Sequence, residues 1–141
     1  MQRVVSLYLP TWQTDRYRRM LGDEAPPVET PVVMIARQGS RRLVAALNSA
    51  ALKAGLRPGM PASKAQAILP GLIVEDLKPV EDAKALEDLA FWFLRIYAPI
   101  VAPDTPDGLV LDTTGADHLH GNERLMLTGM INRLHALGFT A

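Results

Sequence analysis

The sequence predicts a mixed α/β (α+β) fold, a sheet carrying long helices with a small subdomain inserted between its strands. Three observations lead there. Short apolar runs bounded by Gly or Pro, such as residues 32–37 (VVMIAR) and 109–111 (LVL), read as strands. Residues 81–97 and 123–137 repeat apolar side chains at three- and four-residue spacing and read as amphipathic helices. Charge is divided along the chain: residues 1–75 hold ten Lys/Arg against five Asp/Glu, and residues 76–141 hold five against ten. A net charge of zero thus conceals a basic half and an acidic half, as two sub-structures with different partners would.

Each element has a local reason. Residues 3–9 (RVVSLYL) alternate as a strand does and stop at Pro10. Residues 11–20 (TWQTDRYRRM) are polar and basic, helix or loop, with Trp12 and Tyr17 as anchors and Arg16, Arg18 and Arg19 clustered. Residues 22–31 form a Pro-rich acidic loop. The strand at 32–37 turns through Gln38-Gly39-Ser40 into residues 42–46 (RLVAA), a hairpin by turn chemistry. Residues 47–54 are Ala-rich and helical, ended by Gly55; residues 63–69 form a second short helix stopped by Pro70-Gly71, followed by a brief strand at 72–75.

On the long helix, Leu86, Leu89, Ala90, Phe93, Ile96 and Tyr97 share a face, and Phe91 and Trp92 are expected in the core beside Phe93; Pro99 ends it. Asp104, Pro106, Asp107 and Gly108 lead as a turn into the strand at 109–111. Its Asp112 is expected to bond the turn Thr113-Thr114-Gly115. The last helix turns Leu127, Met130, Ile131 and Leu134 inward and stops at Gly138, after which residues 138–141 read as the start of another strand. A chain cut in mid-strand is expected to be the N-terminal piece of a longer protein.

Composition excludes several classes. The chain has 141 residues, enough for one ordinary core, and 48% hydrophobic content argues against disorder. No Cys is present, which removes disulfides, thiolate metal sites and a Cys nucleophile. No apolar run approaches the roughly 18 residues of a membrane span, and the start lacks a signal peptide's apolar core. His118 and His120, beside Asp117 and Glu123, have the spacing of a metal pair but read as surface histidines of a turn.

Two motifs carry a family resemblance. Asp107-Gly108-Leu109-Val110-Leu111-Asp112-Thr113-Thr114-Gly115 resembles the active-site strand D-E-x-F-L-D-x-T-G of the Y-family (translesion) DNA polymerases. Gly55-Leu56-Arg57-Pro58-Gly59-Met60-Pro61 resembles the G-(V/I)-x-x-G-M-P run of that family's fingers, with Ala65 and Pro70 following at suitable distances. The resemblance implies a partial palm at residues 1–10 and 76–141 and fingers at 11–75, without thumb or little finger. Gly55 and Gly59 are expected to take backbone conformations only glycine adopts readily, and Met60 to plug the small core.

The departures from the family pattern matter more. Asp107 keeps the family's Asp, but Gly108 stands where the catalytic Glu is expected. The first strand places Leu7 at the position of another metal-binding Asp, in a register open to a shift of one or two residues, and no register gives it a carboxylate. Counting back from Gly55, Ser49 and Leu52 occupy the positions of a Tyr and an Arg that contact the incoming triphosphate. One carboxylate does not hold two Mg²⁺ ions. If Trp12 takes the aromatic sugar-gate position, it gates an empty site.

The resemblance therefore implies the family's non-catalytic branch, known from bacterial mutagenesis cassettes. The expected function is a cytoplasmic, nucleoid-associated adaptor in SOS-type DNA repair and translesion synthesis, with no catalytic residues, no bound nucleotide, metal or cofactor, and no membrane. It implies weak binding of primer-template DNA by this chain. It also implies a sliding clamp, an ImuA-type protein and an error-prone replicative-type polymerase as partners, docking outside this segment. Arg41, Arg42, Lys53, Arg57 and Lys64 are the DNA-binding candidates, since cations on the fingers would neutralise phosphates. Two other readings remain open: an active polymerase whose metal site is rearranged onto Asp104, Asp107 and Asp112, and a protein-interaction module that binds no DNA.

Overall fold

The computed structural model describes residues 4–96, 100–112 and 123–141. In chain order the elements are β1 (Val4–Tyr8), α1 (Trp12–Leu21), a 3-10 turn (Gly22–Glu24), β2 (Val32–Gln38), β3 (Arg41–Leu47), α2 (Ser49–Lys53) and α3 (Ala62–Ile68). There follow β4 (Ile73–Asp76), α4 (Pro79–Ile96), β5 (Ile100–Asp104), β6 (Gly108–Asp112) and α5 (Glu123–Ala136). They form two compact units, Met1–Trp12 with Pro79–Ala141, and Gln13–Lys78 inserted between those two pieces.

The first unit holds an antiparallel sheet in the order β1-β6-β5. Leu7 of β1 pairs with Leu109, Val5 with Leu111, and Tyr8 with Gly108. Strand side chains alternate between faces, so Leu7, Leu109 and Leu111 turn to one side and are buried. Leu86, Leu89, Ala90 and Phe93 of α4 join them, as do Met126, Met130 and Leu134 of α5. Phe91, expected in the core, is instead 67% exposed. It lies between Ala90 and Phe93 in sequence but points off their stripe. Helix α5 is likewise turned by a residue from the expected face: Met126 is buried, while Ile131 is exposed and Leu127 only part-buried.

Strand β5 was not expected, because Pro99, Pro103 and Pro106 give its surroundings the look of loop. An edge position explains how Pro103 is tolerated there, since one side of an edge strand needs no ladder hydrogen bonds. At the other end, residues 138–141 form no strand. Gly138 takes φ +91° as the helix stop, and the Phe139 amide donates to the Leu134 carbonyl at 2.8 Å. The Phe139 ring then lies 4.9 Å from that of Trp12.

The inserted unit has a second sheet, β3-β2-β4, with β2 antiparallel to β3 and parallel to β4. Its core is assembled from Val33, Ile35, Val44, Leu47 and Leu56 with Ala51, Ala62 and Ala65; Met60 packs against it. Asn48 fixes the start of α2: its Oδ1 accepts from the amides of Ala51 and Val32, each at 3.0 Å, and its Nδ2 donates to the Thr30 carbonyl at 2.8 Å. Gly55 and Gly59 take φ +100° and +86°, conformations that favour glycine as the sequence required. The loop they shape is tied to β3, with the Val44 amide donating to Met60 and the Gly59 amide to Val44, both at 2.8 Å.

Candidate nucleic-acid interface

One face of the β1-β6-β5 sheet looks away from the core. Three rows cross it: Tyr8, Gly108 and Asp104; Ser6, Val110 and Ala102; Val4 and Asp112. Tyr8 and Val4 are 62% and 57% exposed. Leu7, the first-strand residue matched to a metal-binding position, lies on the opposite face with its side chain in the core. The β1 side chain that flanks Gly108 on the open face is Tyr8. Strand parity was invisible in the sequence, where a shift of a single residue exchanges the two faces.

Gly108 is enclosed. A Cβ built there would meet the Leu7 carbonyl oxygen at 3.1 Å and the Asp104 carbonyl oxygen at 3.4 Å, both main-chain atoms. Asp107 precedes it; its carbonyl accepts from the Leu9 amide at 2.8 Å. Partial burial, and then the charge of Asp104, raise the pKa of the Asp107 carboxyl from its ordinary value. Asp112 stands two rows beyond Asp104, about 13 Å along a regular strand. The turn it was expected to bond, and His118, His120 and Tyr97, lie outside the described residues.

Trp12 is no gate. It is 1% exposed in the core of the first unit, and its indole Nε1–H donates to the Asp82 carbonyl at 3.0 Å.

The inserted unit places the other candidates. Ser49 is exposed in the first turn of α2 and Leu52 is 37% exposed in the same helix. A hydroxymethyl and an isobutyl group supply no cation for a triphosphate. Arg57 is exposed but engaged, its Nη1 donating to the carbonyls of Leu52 at 2.9 Å and Leu56 at 2.7 Å, so part of its guanidinium closes the end of α2. Arg18 donates to the Pro26 carbonyl at 3.2 Å. Arg41, Arg42, Lys53 and Lys64 are exposed.

Arg37 was missed by sequence reasoning. It sits on β2 directly across from Arg42, with Gln38 across from Arg41. The available signal was an absence of acid: no Asp or Glu occurs between Glu29 and Glu75, while that stretch carries Arg37, Arg41, Arg42, Lys53, Arg57 and Lys64. The whole inserted unit has ten Lys/Arg against six Asp/Glu.

Residues 22–137 match the profile of the impB/mucB/samB family, well over half of the chain. The chain belongs to that family. Its relatives in the family include Protein ImuB of Caulobacter vibrioides, in strain NA1000 / CB15N and in strain ATCC 19089 / CIP 103742 / CB 15. Identity to each is 46% over 87 residues, 62% of this chain and 19% of that protein. The chain thus spans about a fifth of the length of the curated relatives it matches.

Among solved structures, DinB from Sulfolobus solfataricus superposes with a TM-score of 0.72 at 21% identity, over 98% of this chain and 40% of that one. An insertion ternary complex of Dbh DNA polymerase superposes with a TM-score of 0.74 at 20% identity, over 99% and 41%. These likenesses establish the fold, the α+β architecture of a Y-family polymerase palm with its small inserted subdomain. No helix among the described residues is long and apolar enough to cross a membrane.

The family's two-metal chemistry needs carboxylates converging on ions roughly 3.5–4 Å apart. Near Gly108 the described carboxylates are Asp104 and Asp107, close enough that the charge of Asp104 acts on Asp107. Among the described residues no three His, Cys, Asp or Glu side chains form a group able to hold a metal ion. Around Gly108 the open face offers a phenol, a glycine and the carboxylate of Asp104.

Proposed function

We propose that this chain is the palm (residues 1–10 and 76–141) and fingers (11–75) of an ImuB-like Y-family homologue that does not polymerise DNA. It acts as a DNA-binding adaptor in translesion synthesis and damage-induced mutagenesis. The observation that carries the non-catalytic reading is the row Tyr8–Gly108–Asp104. The glycine there has main-chain oxygens closing over the place where a side chain would start. DNA binding is supported by the acid-free basic stretch of the inserted unit and by likeness to a polymerase solved in an insertion ternary complex. The chemistry then falls to an error-prone polymerase recruited with a sliding clamp and an ImuA-type protein, through regions beyond this segment, in the cytoplasm at the nucleoid.

The test is single-nucleotide primer extension by the full-length protein, with Mg²⁺ and with Mn²⁺. The expected result is no extension above background while primer-template binding persists. Extension that disappears in Asp107→Asn would instead establish a rearranged metal site. For the 141-residue chain alone, binding to primer-template is expected to be weaker than micromolar at physiological salt and to fall as salt rises, since phosphate neutralisation releases counterions. No salt-dependent binding at all would favour a protein-interaction module.

A further inference from the structure

An antiparallel sheet with one face on the core ordinarily turns polar side chains to water on the other. The open face of β1-β6-β5 does not follow that rule. Val4, Tyr8, Val110 and Ala102 share it with Ser6, and all but the half-buried Val110 are exposed. Acid stands at one end, where Asp104 closes the row of Tyr8 and Gly108 and its charge acts on Asp107. No Lys or Arg occurs in any of the three rows. A phosphate backbone laid here would meet carboxylates with no cation to offset them, so nucleic acid is a poor occupant.

We propose that this face docks an amphipathic helix of a partner protein, apolar toward Val4, Tyr8, Val110 and Ala102, with Lys or Arg at the end that meets Asp104 and Asp107. The proposal rests on the non-catalytic reading above, because a working metal site would place ions over the same carboxylates. Dimensions suit a helix. Five strand residues run about 17 Å and three strands span about 10 Å, which roughly eleven residues of a helix about 10 Å wide would cover. A helix laid on a sheet is also the layering that α4 and α5 make on the opposite face. Charge complementarity sets the partner's sign: a cation would come between the two like charges of Asp104 and Asp107 and rest on the exposed Tyr8 ring. The plane is on the order of 200 Å², against roughly 800 Å² per partner in a stable complex, so the contact is transient by itself.

The test titrates the isotope-labelled 141-residue chain with a stapled helical peptide of about eleven residues, leucines along one face and arginines at one end. Amide NMR shifts should concentrate in β1, β5 and β6. Ala102→Arg puts a cation into the face from an exposed edge position and should weaken binding about ten-fold or more. Asp104→Asn should weaken it about three-fold and flatten its salt dependence. Phe91→Ser removes an exposed aromatic on α4 and should change nothing. A peptide with glutamate in place of arginine should not bind. Thermal melts matching the parent show that a loss in Ala102→Arg or Asp104→Asn is not unfolding.

No binding up to about 1 mM peptide, or equal binding of the glutamate peptide, would overturn the proposal. So would shifts that map to α4 and vanish in Phe91→Ser. Displacement by Mg²⁺ beyond that by K⁺ at matched ionic strength would give the carboxylates to a metal ion. Primer extension by the full-length protein would then sink the non-catalytic reading as well, whereas absent peptide binding with absent extension sinks this inference alone. Displacement by primer-template, with DNA affinity reduced in Tyr8→Ser, would make the face a nucleic-acid surface. Self-association abolished by Ala102→Arg would make the occupant a second copy. Binding by this chain but not by the full-length protein would mean that another part of the same protein lies there.

Discussion

At Gly108 the main chains of two neighbouring strands stand against the place where a side chain would begin. With the Leu7 oxygen 3.1 Å from where a Cβ would sit, Gly108→Glu needs that main-chain oxygen to give by a few tenths of an ångström, and a backbone held in a strand ladder resists this at a cost of about 1 kcal/mol. Urea denaturation of that variant should show the loss, and its full-length form should remain inert in primer extension. Asp107 carries the opposite sign. Folding raises its pKa by burial and then by Asp104, so below the ordinary carboxylate range both states are protonated and the residue is neutral to stability. As pH rises the unfolded chain ionises first, and by neutral pH Asp107 opposes folding. Asp107→Asn should therefore raise the denaturation midpoint at neutral pH and lose that advantage in acid. A gain of equal size at both pH values would refute the assignment. In the sequence Gly108 stood out as a departure from a motif and Asp107 as a match to it. That Leu7 faces inward and Tyr8 outward was not legible there, because only pairing with β6 fixes the parity of β1.

Elements were most legible where chemistry is local. Gly55, Gly59 and Gly138 ended or turned the chain as their backbone freedom required. The hairpin β2–β3 followed from Gln38-Gly39-Ser40. Failures came where tertiary position decides. Strand β5 is acceptable only because it is an edge, and α5 has apolar residues at 125, 126, 127, 130, 131 and 134, so periodicity alone left more than one face open. The three hydrogen bonds of Asn48 join residues up to eighteen positions apart and leave no sequence signature beyond an N-cap. Asn48→Ala should cost about 2 kcal/mol, more than an isolated cap, because it strands the Thr30 carbonyl and the Val32 amide as well. Asn48→Asp, which keeps the acceptor, should recover part of that loss in the same thermal melts.

On the scale of the whole molecule, the two cores differ in substance. The first is filled by Trp12, Phe93, Met126, Met130 and several leucines, the inserted one largely by valine and alanine. Apolar burial scales with the area removed from water, so the inserted unit should open more readily. In hydrogen exchange read by mass spectrometry, amides of β2, β3 and β4 should exchange before those of β1, β6 and α4. Equal protection would mean the two units unfold as one. The division of charge seen in the sequence persists at this scale, with five Lys/Arg against nine Asp/Glu outside the insert.

Trp12 is the last residue of the first unit before the chain departs, and Pro79 the first after its return. The indole of Trp12 is bonded to the Asp82 carbonyl, one turn into the returning helix. Exit and re-entry are thus clasped together by a contact that involves no residue of the insert. For lineage and for engineering alike this makes residues 13–78 a cassette. A descendant could remodel, shorten or trade that module wholesale, and the seam through which it was threaded would still close.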